Sequence, residues 1–148
     1  MDGELIFEGE YLNGKKNGKG KKYYNDGKLI FEAEYINGEK NGKGKEYYFN
    51  GKILFEGDYK YDKKWNGKGY DDNGNISYEL INGTGKLKEY NLYGILEFEG
   101  KYLNGKRNGK GKEYYFDKLI FEGEYLYDRR LKGKEYINER LEYEYSYL

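Results

Sequence analysis

The stretch FEGEYLNGKKNGKG (residues 7–20) packs two aromatic residues, four glycines and two Asn-Gly pairs into fourteen positions. It returns with small changes as FEAEYINGEKNGKG (31–44) and as FEGKYLNGKRNGKG (98–111). A unit that recurs in one chain folds as one supersecondary element that packs on its neighbours. The sequence therefore predicts a repeat protein.

The period of the repeat is about 23 residues. Aligning Phe7, Phe31, Phe55, Phe98 and Phe121 gives spacings of 24, 24, 43 and 23 residues, and the interval of 43 divides into two repeats. The C-terminal LEYEYSYL (141–148) aligns with LIFEGEYL (119–126), so one more opening strand follows the last repeat. We expect a single domain over residues 1–148, with repeats at about 7–30, 31–54, 55–76, 77–97, 98–120 and 121–141 and a terminal strand at 141–148.

The first half of each repeat alternates like a β-strand. Leu5, Phe7, Gly9 and Tyr11 share one face, whereas Ile6, Glu8, Glu10 and Leu12 share the other. The two Asn-Gly pairs predict a hairpin connection, either a tight turn at 13–14 or a longer loop that spans both pairs. Both alternatives place Phe7 and Tyr11 on the same face as Gly18, Gly20 and Tyr24. Aromatic rings can then lie across bare glycine backbone.

On the opposite face, glutamates of one strand meet lysines of the next. Glu8 and Glu10 face Lys19 and Lys21, and this arrangement recurs along the chain. The prediction is an all-β fold: an elongated, twisted, single-layer antiparallel meander of consecutive β-hairpins, with about 13 strands and no significant helix.

Composition excludes several classes of site. The chain has 148 residues, 27 basic and 27 acidic side chains, 21 tyrosines, and neither Cys nor His. Disulfides and zinc sites of the usual kind are therefore excluded, and a formal charge of zero gives no attraction to nucleic acid. The acidic start MDGELIF is unlike a secretory signal and no apolar run approaches the ~20 residues of a membrane span, so we expect a cytoplasmic protein.

The order aromatic-x-Gly-x-aromatic, Gly, then Gly-x-Gly resembles the MORN (membrane occupation and recognition nexus) repeat. Repeat one carries this pattern as Phe7, Gly9, Tyr11, Gly14, Gly18 and Gly20, and repeat five matches it fully. Repeat two has Ala33 for one glycine, repeat three has a longer loop with Trp65, and repeats four and six retain less. The resemblance implies a hairpin-repeat fold and a role as scaffold, dimerisation module or phospholipid binder. Related bacterial proteins with variant repeats resemble antitoxins or immunity-type partners.

No residue pattern indicates catalysis or a cofactor. Without Cys and His, Ser77, Ser146 and Thr84 have no base of the usual kind to activate them. The recurring pairs of glutamates are typical of a solvated sheet face, and Asp71 to Asn75 is typical of a turn. We expect no enzyme, no cofactor and no metal.

Basic residues recur in the hairpin loops. They are Lys15, Lys16, Lys40, Lys63, Lys64, Lys106, Arg107, Arg129 and Arg130. Stacked hairpins would align them along one rim, which would suit an anionic membrane surface or an acidic partner. The alternative is that they are solvated turn residues without a partner.

Aromatic residues offer a second candidate surface. Tyr11, Tyr35, Tyr59, Tyr102 and Tyr125 form a stripe, which is either the core or an open groove for a peptide. Trp65, on its lengthened loop, is predicted to be exposed and to anchor a partner.

The terminal strand is a third candidate surface. It carries Tyr143, Tyr145 and Tyr147 and has neither Pro nor Lys to discourage pairing. We expect it to add to a second copy of the chain or to receive a partner strand.

The leading hypothesis is a non-catalytic scaffold for protein–protein interaction, with self-association through terminal edge strands as one form of it. The alternatives are binding of anionic phospholipid through the basic rim and an antitoxin or immunity-type inhibitor of a partner protein.

Overall fold

The computed structural model describes residues 6–146, without the side chain of Tyr145. This part of the chain contains strands and turns and no helix. The thirteen strands are β1 (Ile6–Leu12), β2 (Lys15–Tyr23), β3 (Leu29–Ile36), β4 (Glu39–Tyr47), β5 (Ile53–Lys60), β6 (Lys63–Tyr70), β7 (Ile76–Leu80), β8 (Gly85–Tyr90), β9 (Leu96–Leu103), β10 (Lys106–Tyr115), β11 (Lys118–Leu126), β12 (Arg129–Ile137) and β13 (Arg140–Ser146).

Within each of two sheets, every strand pairs antiparallel with its neighbours in sequence, which confirms the predicted meander of hairpins. The first sheet contains β1 to β7 and the second contains β8 to β13. The meander is not one continuous sheet, because β7 and β8 keep only the isolated bridge between Ile81 and Thr84. This interruption lies in repeat four, whose sequence has lost most of the glycine pattern.

Tight turns connect the two strands of each hairpin. Asn13 and Gly14 have φ angles of 51° and 77°, and positive φ at both central residues is typical of a type I′ turn. The tight-turn alternative is therefore correct, and the second Asn-Gly pair lies inside β2. We call the row of equivalent turns the first rim; it comprises residues 13–14, 37–38, 61–62, 82–83, 104–105 and 127–128.

Backbone hydrogen bonds join the turns of the first rim to the preceding hairpin. The amides of Gly38, Asp62 and Asp128 donate to the carbonyls of Lys16, Lys40 and Arg107 at 2.8 to 3.0 Å. At the break between the sheets, Gly83 donates to Trp65 (2.6 Å) and Gly105 donates to Gly83 (2.9 Å). The first rim therefore continues across the interruption and holds the two sheets together.

Glycines place the aromatic rings as predicted, with one exception. A Cβ on Gly20 would overlap the ring of Phe7, so this ring lies across bare backbone. Gly18 is the exception, because a Cβ there would overlap the Glu10 carboxylate and not a ring. Gly18 nevertheless pairs in register with Tyr35 of the aromatic face, and its φ of 99° beside the β-bulge between Gly9 and Tyr11 is what turns an added Cβ away from the rings.

The core lies on the aromatic face, which we call the ring face. Phe55, Phe98 and Phe121 are completely buried. Where the two sheets meet, Leu80 and Leu87 add to a larger cluster. A single-layer sheet thus obtains its core from one row of rings that packs over glycines and over its neighbours.

The chain bends sharply at the junction. The amide of Phe49 donates to the carbonyl of Leu92 (2.8 Å), and the Phe49 ring stacks on Tyr93 at a centroid distance of 5.4 Å. These residues lie in turns that are four strands apart, which corresponds to about 19 Å in a flat sheet. Their contact brings the ring faces of the two sheets toward each other and encloses the junction cluster.

Candidate functional site

A basic side chain covers each phenylalanine of the ring face. The cation belongs to the second residue after each first-rim turn, nine positions after the phenylalanine. Lys16 Nζ lies 3.9 Å from the Phe7 centroid, Lys40 Nζ 3.7 Å from Phe31, Lys64 Nζ 5.0 Å from Phe55, Arg107 Cζ 3.9 Å from Phe98 and Arg130 Cζ 4.2 Å from Phe121. These are cation–π distances, and they show that five of the nine basic residues of the predicted rim pack on the ring face.

In the first sheet, Glu46 joins these cations into a network. Its carboxylate accepts a hydrogen bond from Tyr59 Oη (2.7 Å) and lies 3.8 Å from Lys40 Nζ and 3.5 Å from Lys64 Nζ. Burial raises the pKa of Glu46, but Lys64, Lys40 and the Tyr59 hydroxyl outweigh it, so that the pKa lies below its ordinary value. Glu46 therefore stays ionised and holds both lysines on the ring face.

In the second sheet, arginines take the place of the lysines. Arg107 donates to Glu89 through Nε (3.1 Å) and Nη2 (2.7 Å), and Arg130 donates to Glu113 and to Glu135. Burial raises the pKa of Glu113, but hydrogen bonds from Arg130 and Tyr125 outweigh it and the pKa is lowered. Lowered pKa values at Glu46 and Glu113 are the opposite of what a general acid requires.

The tyrosine stripe is the core rather than an open groove. Tyr35 and Tyr59 are each 4% exposed and Tyr125 is 2% exposed, whereas Tyr102 is half-buried. Only Tyr11, of the five, is largely exposed, at 57%. A partner therefore cannot reach most of this stripe without opening the core.

Trp65 is half-buried and not fully exposed as predicted. It lies against the first-rim turn at Gly83, and Lys60 Nζ lies 4.9 Å from its ring centroid. Trp65 therefore helps to join the two sheets. Whether it also contacts a partner stays a prediction.

The other basic residues of the predicted rim lie on the opposite face. Lys15, Lys63, Lys106 and Arg129 are paired in register with Leu12, Lys60, Leu103 and Leu126. Lys63 Nζ lies 3.7 Å from the Asp128 carboxylate, which adds an ion pair between the two sheets. A membrane role for this rim stays a prediction.

The edge strands have the same sign of charge. Tyr143 is exposed on β13, and Tyr147 and the Tyr145 side chain lie outside the described residues. Strand β1 carries Glu8 and Glu10, and β13 carries Glu142 and Glu144. Pairing of the edges of two copies would bring like charges together, which disfavours the predicted self-association.

We call the face opposite the rings the charged face. Its register alternates acid and base across the strands, as in the run from Glu8 through Lys21, Glu32 and Lys45 to Glu56. Cross-strand ion pairs of the predicted kind form between Lys21 and Glu32 (4.0 Å), Lys45 and Glu56 (3.7 Å), and Lys132 and Glu124 (3.7 Å), whereas Glu10 accepts a hydrogen bond from the Lys19 backbone amide (2.7 Å). These side chains are largely solvated, so each pair contributes about 0 to 1 kcal/mol.

Each sheet has an open groove on the charged face. The first groove has a volume of about 510 Å³ and a floor of Gly20, Ala33, Gly44 and Gly57. The second has a volume of about 1100 Å³ and a floor of Gly100, Gly111, Gly123 and Gly133. In both, two rows of long charged side chains flank bare backbone.

The two grooves differ in charge. Four lysines and four acidic residues line the first, so it is neutral. Seven lysines and four glutamates line the second, which gives it a net charge of +3. The described residues include no helix able to cross a membrane, and residues 6–146 contain no acidic group of three or more arranged for a metal ion.

Comparison with known proteins identifies the repeats. Residues 7–28, 31–53 and 98–119 match the family model of the MORN repeat. They are repeats one, two and five, which keep the FEGEYLNGKKNGKG pattern most closely. A search of curated proteins gives no match to the chain. The chain therefore contains MORN repeats, and such repeats are consistent with a scaffold that contacts proteins or membranes.

Proposed function

Because the chain contains MORN repeats, we propose that it is a non-catalytic scaffold that binds a protein partner through its charged face. The ring face is occupied by its own cations and carboxylates. The charged face, in contrast, is open over both sheets. The binding surface is therefore formed by the grooves of the charged face and not by the tyrosine stripe.

The size and shape of the second groove carry this proposal. It crosses the six strands of the second sheet, which at ~4.8 Å per strand is about 24 Å. An extended segment of about seven residues covers that length. A floor of glycine backbone lets such a segment approach closely, while the flanking lysines and glutamates supply polar contacts.

A variant that fills the groove tests this function. Lys112 is exposed and lines the second groove, so Lys112→Trp should obstruct it without entering the core. The matched control is Lys118→Trp, at an exposed position outside the groove. The immobilised proteins are incubated with an extract of the source cells, and the retained proteins are identified by mass spectrometry.

We expect at least one protein to be retained by the wild type and by Lys118→Trp and to be lost with Lys112→Trp. The same retained proteins in all three samples would contradict the proposal. Retention of nothing by the wild type would also contradict it.

A second candidate function is binding to an anionic membrane through the first rim. Lys15, Lys106 and Arg129 alternate there with exposed Leu12, Leu103 and Leu126. Cations beside apolar side chains suit a membrane interface, and each nearby cation is worth about 1 kcal/mol at an anionic leaflet.

Liposome flotation tests this candidate. The membrane hypothesis predicts flotation with anionic but not neutral vesicles at physiological salt, and loss of flotation when Lys15, Lys106 and Arg129 are all changed to Gln. Flotation only at low salt would be generic electrostatics and would contradict it.

A further inference from the structure

We infer that the basic end of the second groove, formed by Lys86, Lys101 and Lys110, accepts a short acidic segment of a partner protein. The inference rests on the proposed function and specifies the chemistry of the partner. It derives from a comparison of equivalent positions within the chain.

Lys101 interrupts the alternation of charge. Most other repeats carry an acid at this position, namely Glu10, Glu34, Asp58 and Glu124. In the first groove such an acid faces a lysine, as Glu34 faces Lys19. Lys101 instead lies directly opposite Lys86, and Lys110 follows on the next strand, β10.

These three lysines have no carboxylate partner within the part of the chain that the structure describes. None of them forms an ion pair within 4.0 Å, and the nearest acid in register with Lys110, Glu124, pairs with Lys132 at 3.7 Å. Like charges directly opposite each other in a sheet are destabilising. An anionic ligand would remove this repulsion, whereas the alternating charges of the first groove offer no such gain.

The surroundings of the three lysines favour a peptide over other anions. Leu103 and Leu126, which are 39% and 46% exposed, lie on the same face beside Lys101 and Glu124. Apolar side chains of a peptide can cover them, whereas a small anion cannot. In the rest of the groove four glutamates alternate with four lysines, so a long polyanion such as nucleic acid would find no continuous row of cations there.

The spacing of the lysines specifies the segment further. They lie on three adjacent strands, so the outer two are separated by about 10 Å. Three residues of a segment in the polyproline II conformation cover nearly the same distance at ~3.1 Å each, and with three residues per turn their side chains at i and i+3 share one face. Acidic residues at positions i and i+3, with apolar residues between them, would match both the lysines and the neighbouring leucines.

Fluorescence anisotropy tests the inference directly. The probe is a short labelled peptide with glutamates at every third position and leucine and serine between them, and its counterpart has lysine in place of glutamate. Titrations at physiological salt use the wild type, Lys101→Glu and Lys52→Glu. The last variant is the matched control, since it makes the same charge change at an exposed position between β4 and β5 of the other sheet.

We expect the acidic peptide to bind the wild type and Lys52→Glu equally, and the affinity of Lys101→Glu to fall by about tenfold or more, as for loss of an electrostatically important contact. The basic peptide should not bind. Failure of the acidic peptide to bind the wild type, or equal losses in the two variants, would overturn the inference. If Lys101→Glu does not fold, Lys101→Gln makes the same test by removing the charge alone.

Further measurements distinguish an acidic peptide from other anionic ligands. Competition by inorganic phosphate, or binding to anionic vesicles that depends on Lys101, would overturn the assignment to an acidic peptide. A partner that is lost with Lys112→Trp but retained in full by Lys101→Glu would support the proposed function and contradict this inference.

Discussion

The two sheets share a ring face and differ in the charged face. In both, a phenylalanine lies over glycines and under a cation, with lysine in the first sheet and arginine in the second. The first groove alternates acid and base completely, whereas Lys101 interrupts the alternation in the second. The comparison indicates that folding constrains the ring face and leaves the charged face free to vary.

Substitution of a glycine in the floor of a groove should cause the largest loss of stability, because both sheets depend on rings that pack over bare glycine backbone. A Cβ on Gly123 would overlap the carbonyl oxygen of Lys132 and the ring of Phe121. We expect Gly123→Val to lower the free energy of unfolding by about 3 kcal/mol, as for overpacking of a core. Urea denaturation measures this.

The first sheet supplies the control. Ala33 occupies the equivalent floor position in repeat two, so Ala33→Gly should cost no more than about 1 kcal/mol. Equal losses in the two variants would show that bare backbone is not what the rings require.

Loss of a ring-face carboxylate should have the next largest effect, in either sheet. Glu46→Gln and Glu113→Gln each weaken charge-assisted hydrogen bonds and leave two cations less well neutralised. We expect a loss of about 2 kcal/mol for each. Glu56→Gln, on the solvated charged face, should change stability by less than about 1 kcal/mol. A loss at Glu56 as large as at Glu46 would remove the distinction between the faces.

The same carboxylates predict how stability depends on pH. Their folded-state pKa values are lowered from the ordinary value of 4.5. At a pH between the folded-state and unfolded-state pKa values, the unfolded chain therefore binds more protons than the folded chain. The stabilisation from these two carboxylates is complete above about pH 5 and is lost as the pH falls through their folded-state pKa values.

Urea denaturation at several pH values checks this dependence. The double variant Glu46→Gln/Glu113→Gln should show a shallower fall of stability below about pH 5 than the wild type. Parallel curves for the two proteins would contradict the assignment.

The smallest effect should come from making the two grooves alike. Lys101→Glu restores the alternation by placing an acid between Lys86 and Lys110. We expect an increase in stability of about 0.5 kcal/mol, measured by urea denaturation, together with the loss of acidic-peptide binding. A clear destabilisation would mean that Lys101 has a structural role in the wild type.

Most of the fold could be predicted from the sequence. A period of about 23 residues with strict alternation determines the strands, the faces and the glutamate–lysine pairs, because side chains of a strand alternate with a period of two. The position of Phe7 over Gly20 follows from the same rule.

The cations of the ring face could not be predicted, because two hairpin connections fitted the Asn-Gly pairs. Only the tight turn at Asn13 and Gly14 places Lys16 opposite Tyr11, on the ring face. The sequence does contain a signal for these cations, which is a basic residue nine positions after each phenylalanine. The β-bulge beside Gly18 is a register shift that periodicity alone does not reveal.

The most direct test of the account compares adjacent lysines. Lys63 and Lys64 are neighbours, yet the Lys63 side chain is 37% exposed on the charged face and the Lys64 side chain is 23% exposed, paired with Glu46 on the ring face. Burial lowers the pKa of Lys64, but Glu46 outweighs it and the pKa is raised, which further reduces the reactivity of its amine. Lys15 and Lys16 form a second pair of this kind.

The measurement is the rate of acetylation of each lysine in the folded protein, resolved by tandem mass spectrometry. The account predicts that Lys15 and Lys63 react faster than Lys16 and Lys64, and that Lys86, Lys101 and Lys110 are among the fast group. Equal rates within each adjacent pair would contradict the division into a closed ring face and an open charged face.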